Sequence, residues 1–271
     1  MSAASAVYRV ECRKLIAQNR VRTVLAVLVA APWIFIVLLL HQDRLPLETL
    51  YGRYLTTTGY ATSLVTLVFA TQWVFPLIAS LISGDVFSSE DAHGTLKTIL
   101  TRSVGRDSVF WGKLAAAFTF TVLAVAVLAV SSMLAGLVSV GGQPVTTVGA
   151  TLVPGDQAIG MVALSWAIVV LPVLGFAAMA VAVSIVTRSS VLGVIIPVVF
   201  GLVMQMYTFL NAWDTVRHLL LNTPMSAWRG VLDRPAYFDP LQHGVLVALG
   251  YILVATAVGF VVFRRRNVTA G

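Results

Sequence analysis

Six long runs of apolar residues decide what this chain can fold into. They cover residues 21–40, 61–83, 114–140, 158–186, 191–210 and 245–263. An α-helix rises about 1.5 Å per residue, so about 20 residues cross a hydrocarbon core of about 30 Å. Each run is therefore expected to be a transmembrane helix. The first is too long for the apolar core of a cleavable signal and is expected to remain as a span. The third and fourth exceed the length required, which predicts tilt or a break at Pro172. Only 11% of the residues are charged, against about 25% in a soluble domain, and no polar block is large enough for one. The expected fold is all-α: a single polytopic membrane domain over residues 1–271.

Six spans place both termini on one side, and the charges indicate which side that is. Arg9, Arg13, Lys14, Arg20 and Arg22 precede the first run. Lys97, Arg102, Arg106 and Lys113 lie between the second and third, Arg188 between the fourth and fifth, and Arg264, Arg265 and Arg266 follow the last. That is 13 of the 18 basic residues. The other side has Arg44, Arg53, Arg217, Arg229 and Arg234. Basic residues accumulate on the cytoplasmic side. Both termini and the connection 84–112 are thus expected in the cytoplasm of a plasma-membrane protein. Basic residues gathered at span ends suit lipid head groups rather than nucleic acid.

The interior of the runs excludes as much as it suggests. All 11 acidic residues fall outside them. An ion-coupled secondary transporter normally holds an ionisable group within the membrane, so that alternative is disfavoured. A membrane-embedded lipid or peptide hydrolase needs a nucleophile with a base, or a metal with its ligands. His41, His93, His218 and His243 all lie outside the runs, and Ser165 and Ser184 have no partner base in the pattern. Cys12, the single cysteine, cannot form an internal disulfide. Gln72 and Gln205 are the strongest polar residues inside runs. They serve either as interhelical hydrogen-bonding groups or as substrate-pathway residues.

Two segments outside the runs look ordered. Residues 8–16 alternate basic and apolar residues near helical spacing, which predicts an interfacial helix lying along the inner head groups. Residues 211–243 mix Trp213, Leu219, Leu220, Leu221, Trp228, Tyr237 and Phe238 with prolines and charges. They are too broken to span, so one or two short helices are expected to cap the outer mouth.

The connection 84–112 is dense in charge yet helix-like. Ser88 is placed to cap a helix N-terminus, with Asp91 three positions on. Gly94 permits a turn, and Thr95 can cap a second start. Leu96, Ile99 and Leu100 then form a small apolar face beside Lys97 and Arg102. A short helix with one apolar face and charged flanks suits docking to another protein.

At this point the chain resembles the ABC type-2 permeases, the membrane domains of bacterial ABC exporters. The resemblance rests on a charged turn followed by Gly94-Thr95-Leu96-Lys97, then Ile99-Leu100, an arginine, and Gly112-Lys113 opening the next span. It extends to Glu11 and Lys14-Leu15, the six-span layout and the short outer helices. It implies that the connection is a coupling helix seated in a separate ATP-binding subunit. Glu90, Asp91, Gly94, Thr95, Leu96, Lys97 and Leu100 would make that contact, and Arg106 would brace its far end. Many members have proline where this chain has Ser103. The family works as two permease chains with two ATP-binding subunits, moving hydrophobic or amphipathic cargo such as a lipid, drug or peptide antibiotic.

No ATPase is expected on this chain. A phosphate-binding loop needs G-x-x-x-x-G-K-[ST], but Leu114 follows Gly112-Lys113, and Asp107 stands where the first glycine belongs. No cofactor is expected here, because ATP and magnesium would be bound by the partner. Gly141-Gly142-Gln143 reads as an outer turn.

Overall fold

The computed structural model describes residues 3–41, 51–92, 105–146, 151–209, 214–232 and 236–265. Among them are six helical stretches long and apolar enough to cross a membrane: Asn19–Leu40, Gly59–Glu90, Arg106–Ser139, Gly155–Thr187, Ser190–Tyr207 and Asp239–Arg265. The all-α expectation holds, apart from one two-residue β-ribbon.

The first helix, α1 (Ala3–Ala17), is amphipathic and does not span. Gln18 alone adopts extended backbone between it and α2 (Asn19–Leu40). The elbow is fastened by Arg22, whose Nε donates to the Ile16 carbonyl at 2.7 Å, and by Arg20, paired with Asp85 at 2.5 Å.

The second span is not one uniform helix. It runs as α3 (Gly59–Phe69), a π-helical turn over Ala70–Val74, and α4 (Phe75–Ser83). Pro76 explains the widening. It has no N–H, and its ring crowds the carbonyl four residues back, that of Gln72. After α4 the chain keeps turning into α5 (Ser88–Ala92). The expected N-cap at Ser88 is therefore not formed. With no break in the backbone there, the Ser88 hydroxyl donates back to the Gly84 carbonyl at 3.0 Å.

The third and fourth spans, α6 (Arg106–Ser139) and α7 (Gly155–Thr187), are 34 and 33 residues long. At about 50 Å each they exceed the bilayer core. Of the two alternatives, tilt or a break at Pro172, the break does not occur, since α7 continues through it. Between them, β1 (Val145–Thr146) pairs antiparallel with β2 (Leu152–Val153). The turn expected at Gly141 is present, with φ 100°.

Helix α7 is the centre of the bundle, packed against α3, α4, α6, the fifth span α8 (Ser190–Phe209) and the last span. It is apolar all round, as a fully surrounded helix should be. Its Trp166 donates to Ser63 at 2.9 Å, and Ser63 lies 3.1 Å from Ser132, which ties three spans together inside the core. The turn from α7 to α8 is only Arg188-Ser189, with Arg188 left-handed at φ 57°.

On the face opposite the termini, α9 (Asp214–Leu219), α10 (Asn222–Ser226) and a 3-10 turn over Ala227–Leu232 precede α11 (Asp239–Arg265). They do more than cap the mouth. Leu221 packs where a Cβ on Gly175 would lie, at 3.0 Å. Gly175 is about 30 Å along α7 from its distal end, so this segment is re-entrant and reaches deep among the spans.

Candidate functional site

The face that carries the termini holds a cluster of four charges, three of them buried. Lys113, in the second turn of α6, is 1% exposed, while Glu11 on α1 and Glu90 on α5 are 6% and 7% exposed. Lys113 Nζ lies 3.1 Å from Glu11 Oε2 and 3.0 Å from Glu90 Oε1. Lys14 Nζ closes the ring at 2.8 Å from Glu11 and 2.6 Å from Glu90. Two lysines face two glutamates, so the cluster is neutral. Lys113 also donates to the Val86 carbonyl at 2.9 Å and sits 5.5 Å from the centre of the Phe87 ring. Buried charges are tolerated when they are both paired and hydrogen-bonded.

Local sequence explains how the cluster assembles. Glu11 and Lys14 are i,i+3 on one helix face. Gly112 lets that helix lie directly on α6, since a Cβ there would come within 2.8 Å of the Val7 side chain and 2.9 Å of the Ala4 carbonyl. The adjacent Lys113 then reaches both glutamates. Tyr8 Oη, 3.2 Å from Thr119 Oγ1, extends the contact. Helix α1 was expected to lie along lipid, whereas one face of it packs on α6. Burial lowers the Lys14 pKa, but its hydrogen bonds to Glu11 and Glu90 outweigh this and hold it above 10.5.

Glu90 was assigned to a partner surface; here its carboxylate faces the chain's own Lys14 and Lys113. Lys113 was placed just before the third run, and it is among the most buried side chains of the protein. Sequence reasoning grouped Lys113 with the basic connection. The available signal was a lysine directly after a glycine at the start of an apolar run.

The remaining coupling residues divide in two. The Arg106 guanidinium donates to the Arg264 carbonyl at 2.9 Å and so satisfies one of the orphan carbonyls ending α11. Asp91 lies on α5. Gly94, Thr95, Leu96, Lys97 and Leu100 lie outside the described residues. Above the charge cluster, Phe87 packs on Phe110 and Phe263, with ring centres 5.7 and 5.3 Å apart. The start of the connection is therefore joined to the third and last spans.

The two glutamines meet. Gln72, in the π turn, and Gln205, on α8, line one cavity of about 320 Å³ with Thr71, Arg217, Asn222, Thr223 and Arg229. Asn222 Nδ2 donates to Gln205 Oε1 at 2.6 Å. The part played by the re-entrant segment was missed, because nothing in its composition separates a lid from a wall. A second hollow, about 630 Å³ and almost wholly apolar, lies between α2 and the second span, lined by Val27, Phe35, Phe69, Trp73 and Leu77 among others. The π turn thus shows Gln72 to one cavity and Trp73 to the other.

Residues 8–204 match the model of a family described as "ABC-2 family transporter protein". No curated protein matches the chain. The matched stretch contains all four residues of the charge cluster and Gln72, and it ends one residue before Gln205.

Proposed function

The chain belongs to the ABC-2 family of transporter membrane proteins, and on that premise we propose that it is the permease subunit of an exporter driven by a separate ATP-binding subunit. The face carrying the termini is cytoplasmic in this reading, following the excess of basic residues there. Gly94, Thr95, Leu96, Lys97 and Leu100, with Asp91 before them, form the helix that docks into the ATP-binding subunit. Glu90 holds the root of that helix, and Arg106 braces the far end of the connection against α11.

The observation that supports this reading is the four-charge cluster, three of whose members are buried. It binds the root of the docking segment to the foot of α6 and to α1. In this reading a push delivered at 94–100 reaches that anchor at Glu90 and passes from it into two spans and the interfacial helix. ATP and magnesium are held by the partner, and this chain contributes no catalytic group.

Two such chains, identical or similar, pair to enclose the pathway, with two ATP-binding subunits beneath them. The mostly exposed faces of α2, α8 and α11 are available for that pairing and for lipid. The apolar hollow beside Trp73 suits hydrophobic or amphipathic cargo.

Leu96→Asp tests the docking assignment. It places a charge in an apolar contact while leaving every span untouched. The variant should reach normal membrane levels, fail to co-purify the ATP-binding subunit and lose transport. Retention of both partner and transport would overturn the assignment.

A further inference from the structure

The polar cavity on the distal side has the chemistry of an anion site. Arg217 and Arg229 both line it, and no described carboxylate does. Neither arginine is ion-paired to a described carboxylate. The Arg229 guanidinium rests 5.9 Å from the centre of the Trp228 ring, and Trp228 is itself buried. Thr223 Oγ1 donates to the Arg217 carbonyl at 2.5 Å and fixes the turn between the two arginines.

A second, independent observation concerns Asn222. It is 8% exposed and lines the same cavity. Its Nδ2 is engaged by Gln205, but its Oδ1 is buried without a hydrogen-bond partner. Buried polar atoms are nearly always satisfied, so an orphan on a cavity wall points to a ligand that supplies the missing donor. Arg217 and Arg229 are both exposed at the cavity wall, where an incoming anion can reach them.

We infer that this cavity binds the phosphate-type head group of an amphipathic molecule. Arg217 and Arg229 grip the anion, since guanidinium forks match phosphate oxygens in pairs. The Asn222 oxygen accepts from a hydroxyl or amino substituent on the head group, and Gln72 faces it from the π turn. Leu202 and Met206, four positions apart on α8 and flanking Gln205 in sequence, are exposed and give the apolar tail a surface to follow. This deepens the permease reading. Only the step from bound amphiphile to transported cargo rests on that reading.

The test uses the full chain purified in detergent, with binding read by calorimetry. The probes are a short-chain phosphatidylglycerol, the matching diacylglycerol without phosphate, a fatty acid of the same chain length, and inorganic phosphate. Phosphatidylglycerol should bind saturably and weaken with salt. Arg217→Gln and Arg229→Gln should each lower its affinity by about tenfold, and the double variant should abolish binding. The double Arg→Lys variant keeps the charges but loses the paired donors, so it should bind more weakly than the unaltered protein yet clearly better than the double Gln variant, which separates loss of the site from loss of the fold. Diacylglycerol should not bind, and inorganic phosphate and the fatty acid should bind more weakly than the phospholipid.

Unchanged binding by the double Gln variant would overturn the inference, as would diacylglycerol binding as well as phospholipid. Inorganic phosphate binding as tightly as phospholipid would reduce the cavity to a free-phosphate site and remove the amphiphile. The fatty acid binding as tightly would remove the preference for phosphate. No ATP-binding subunit enters these measurements. Failure here leaves the Leu96→Asp result standing, and failure there leaves this one.

Discussion

Lys113 Nζ lies 3.0 Å from Glu90 Oε1, and the lysine side chain is 1% exposed. The ammonium near the start of α6 is thus shut away from water by the segment that starts the connection. Glu11 completes the enclosure from α1 at 3.1 Å. Three elements distant in sequence share one buried charge.

Removing one member leaves the others uncompensated. Lys113→Met should destabilise the protein by about 3–5 kcal/mol, because two buried carboxylates then lose a partner. Adding Glu11→Gln and Glu90→Gln should recover much of that loss, since no buried charge is left exposed to the apolar interior. Thermal unfolding in detergent across the mutant cycle measures the coupling. Simple additivity would mean that the distances do not reflect a cooperative cluster.

Gly112 sets how closely α1 approaches α6. Alanine would bring its Cβ to 2.8 Å from Val7 and 2.9 Å from the Ala4 carbonyl. Gly112→Leu should lift α1 off the bundle altogether. Limited trypsin digestion should then cut at Arg9 or Arg13 several-fold faster than in the unaltered protein. Equal cleavage would show that α1 is held by Gln18 and α2 alone.

The spans were legible because length and apolarity alone settle them: six were expected, and six are found among the described residues. The π turn was not, although Pro76 lies four residues after Gln72 and signals a disturbed hydrogen-bond ladder. Glu11 and Lys113 sat unconnected in the sequence because side-chain pairing between distant elements leaves no local pattern. Gln72 and Gln205 were singled out by polarity, and the structure places them on one cavity. Their common neighbour Asn222 was invisible, because a re-entrant segment looks like a surface loop until its depth is known.

Lys14 gives the cluster a pH signature. Burial disfavours its charge, but Glu11 and Glu90 overcome this, so the folded protein holds the proton above the ordinary 10.5. A raised folded-state value stabilises fully below pH 10.5 and loses that contribution as pH rises through the higher folded value. Lys14→Gln should therefore melt at a lower temperature than the unaltered protein through neutral and mildly alkaline pH. The gap should narrow above pH 10.5. The side chain remains 45% exposed, which keeps the effect modest. A gap that widened with alkalinity would reverse the assigned direction.

Everything proposed for the docking segment depends on which face meets the cytoplasm. Thirteen basic residues against five favour the face carrying the termini. Two positions can decide it with little disturbance to the fold. Gly105 has open space where a side chain would go, and Asp156 is exposed at the distal start of α7. In a Cys12→Ser background, Gly105→Cys should react with an impermeant thiol reagent only after the cells are broken. Asp156→Cys should react in intact cells. The opposite pattern would put 94–100 outside, beyond the reach of any ATP-binding subunit, and would leave the charge cluster without its proposed mechanical role.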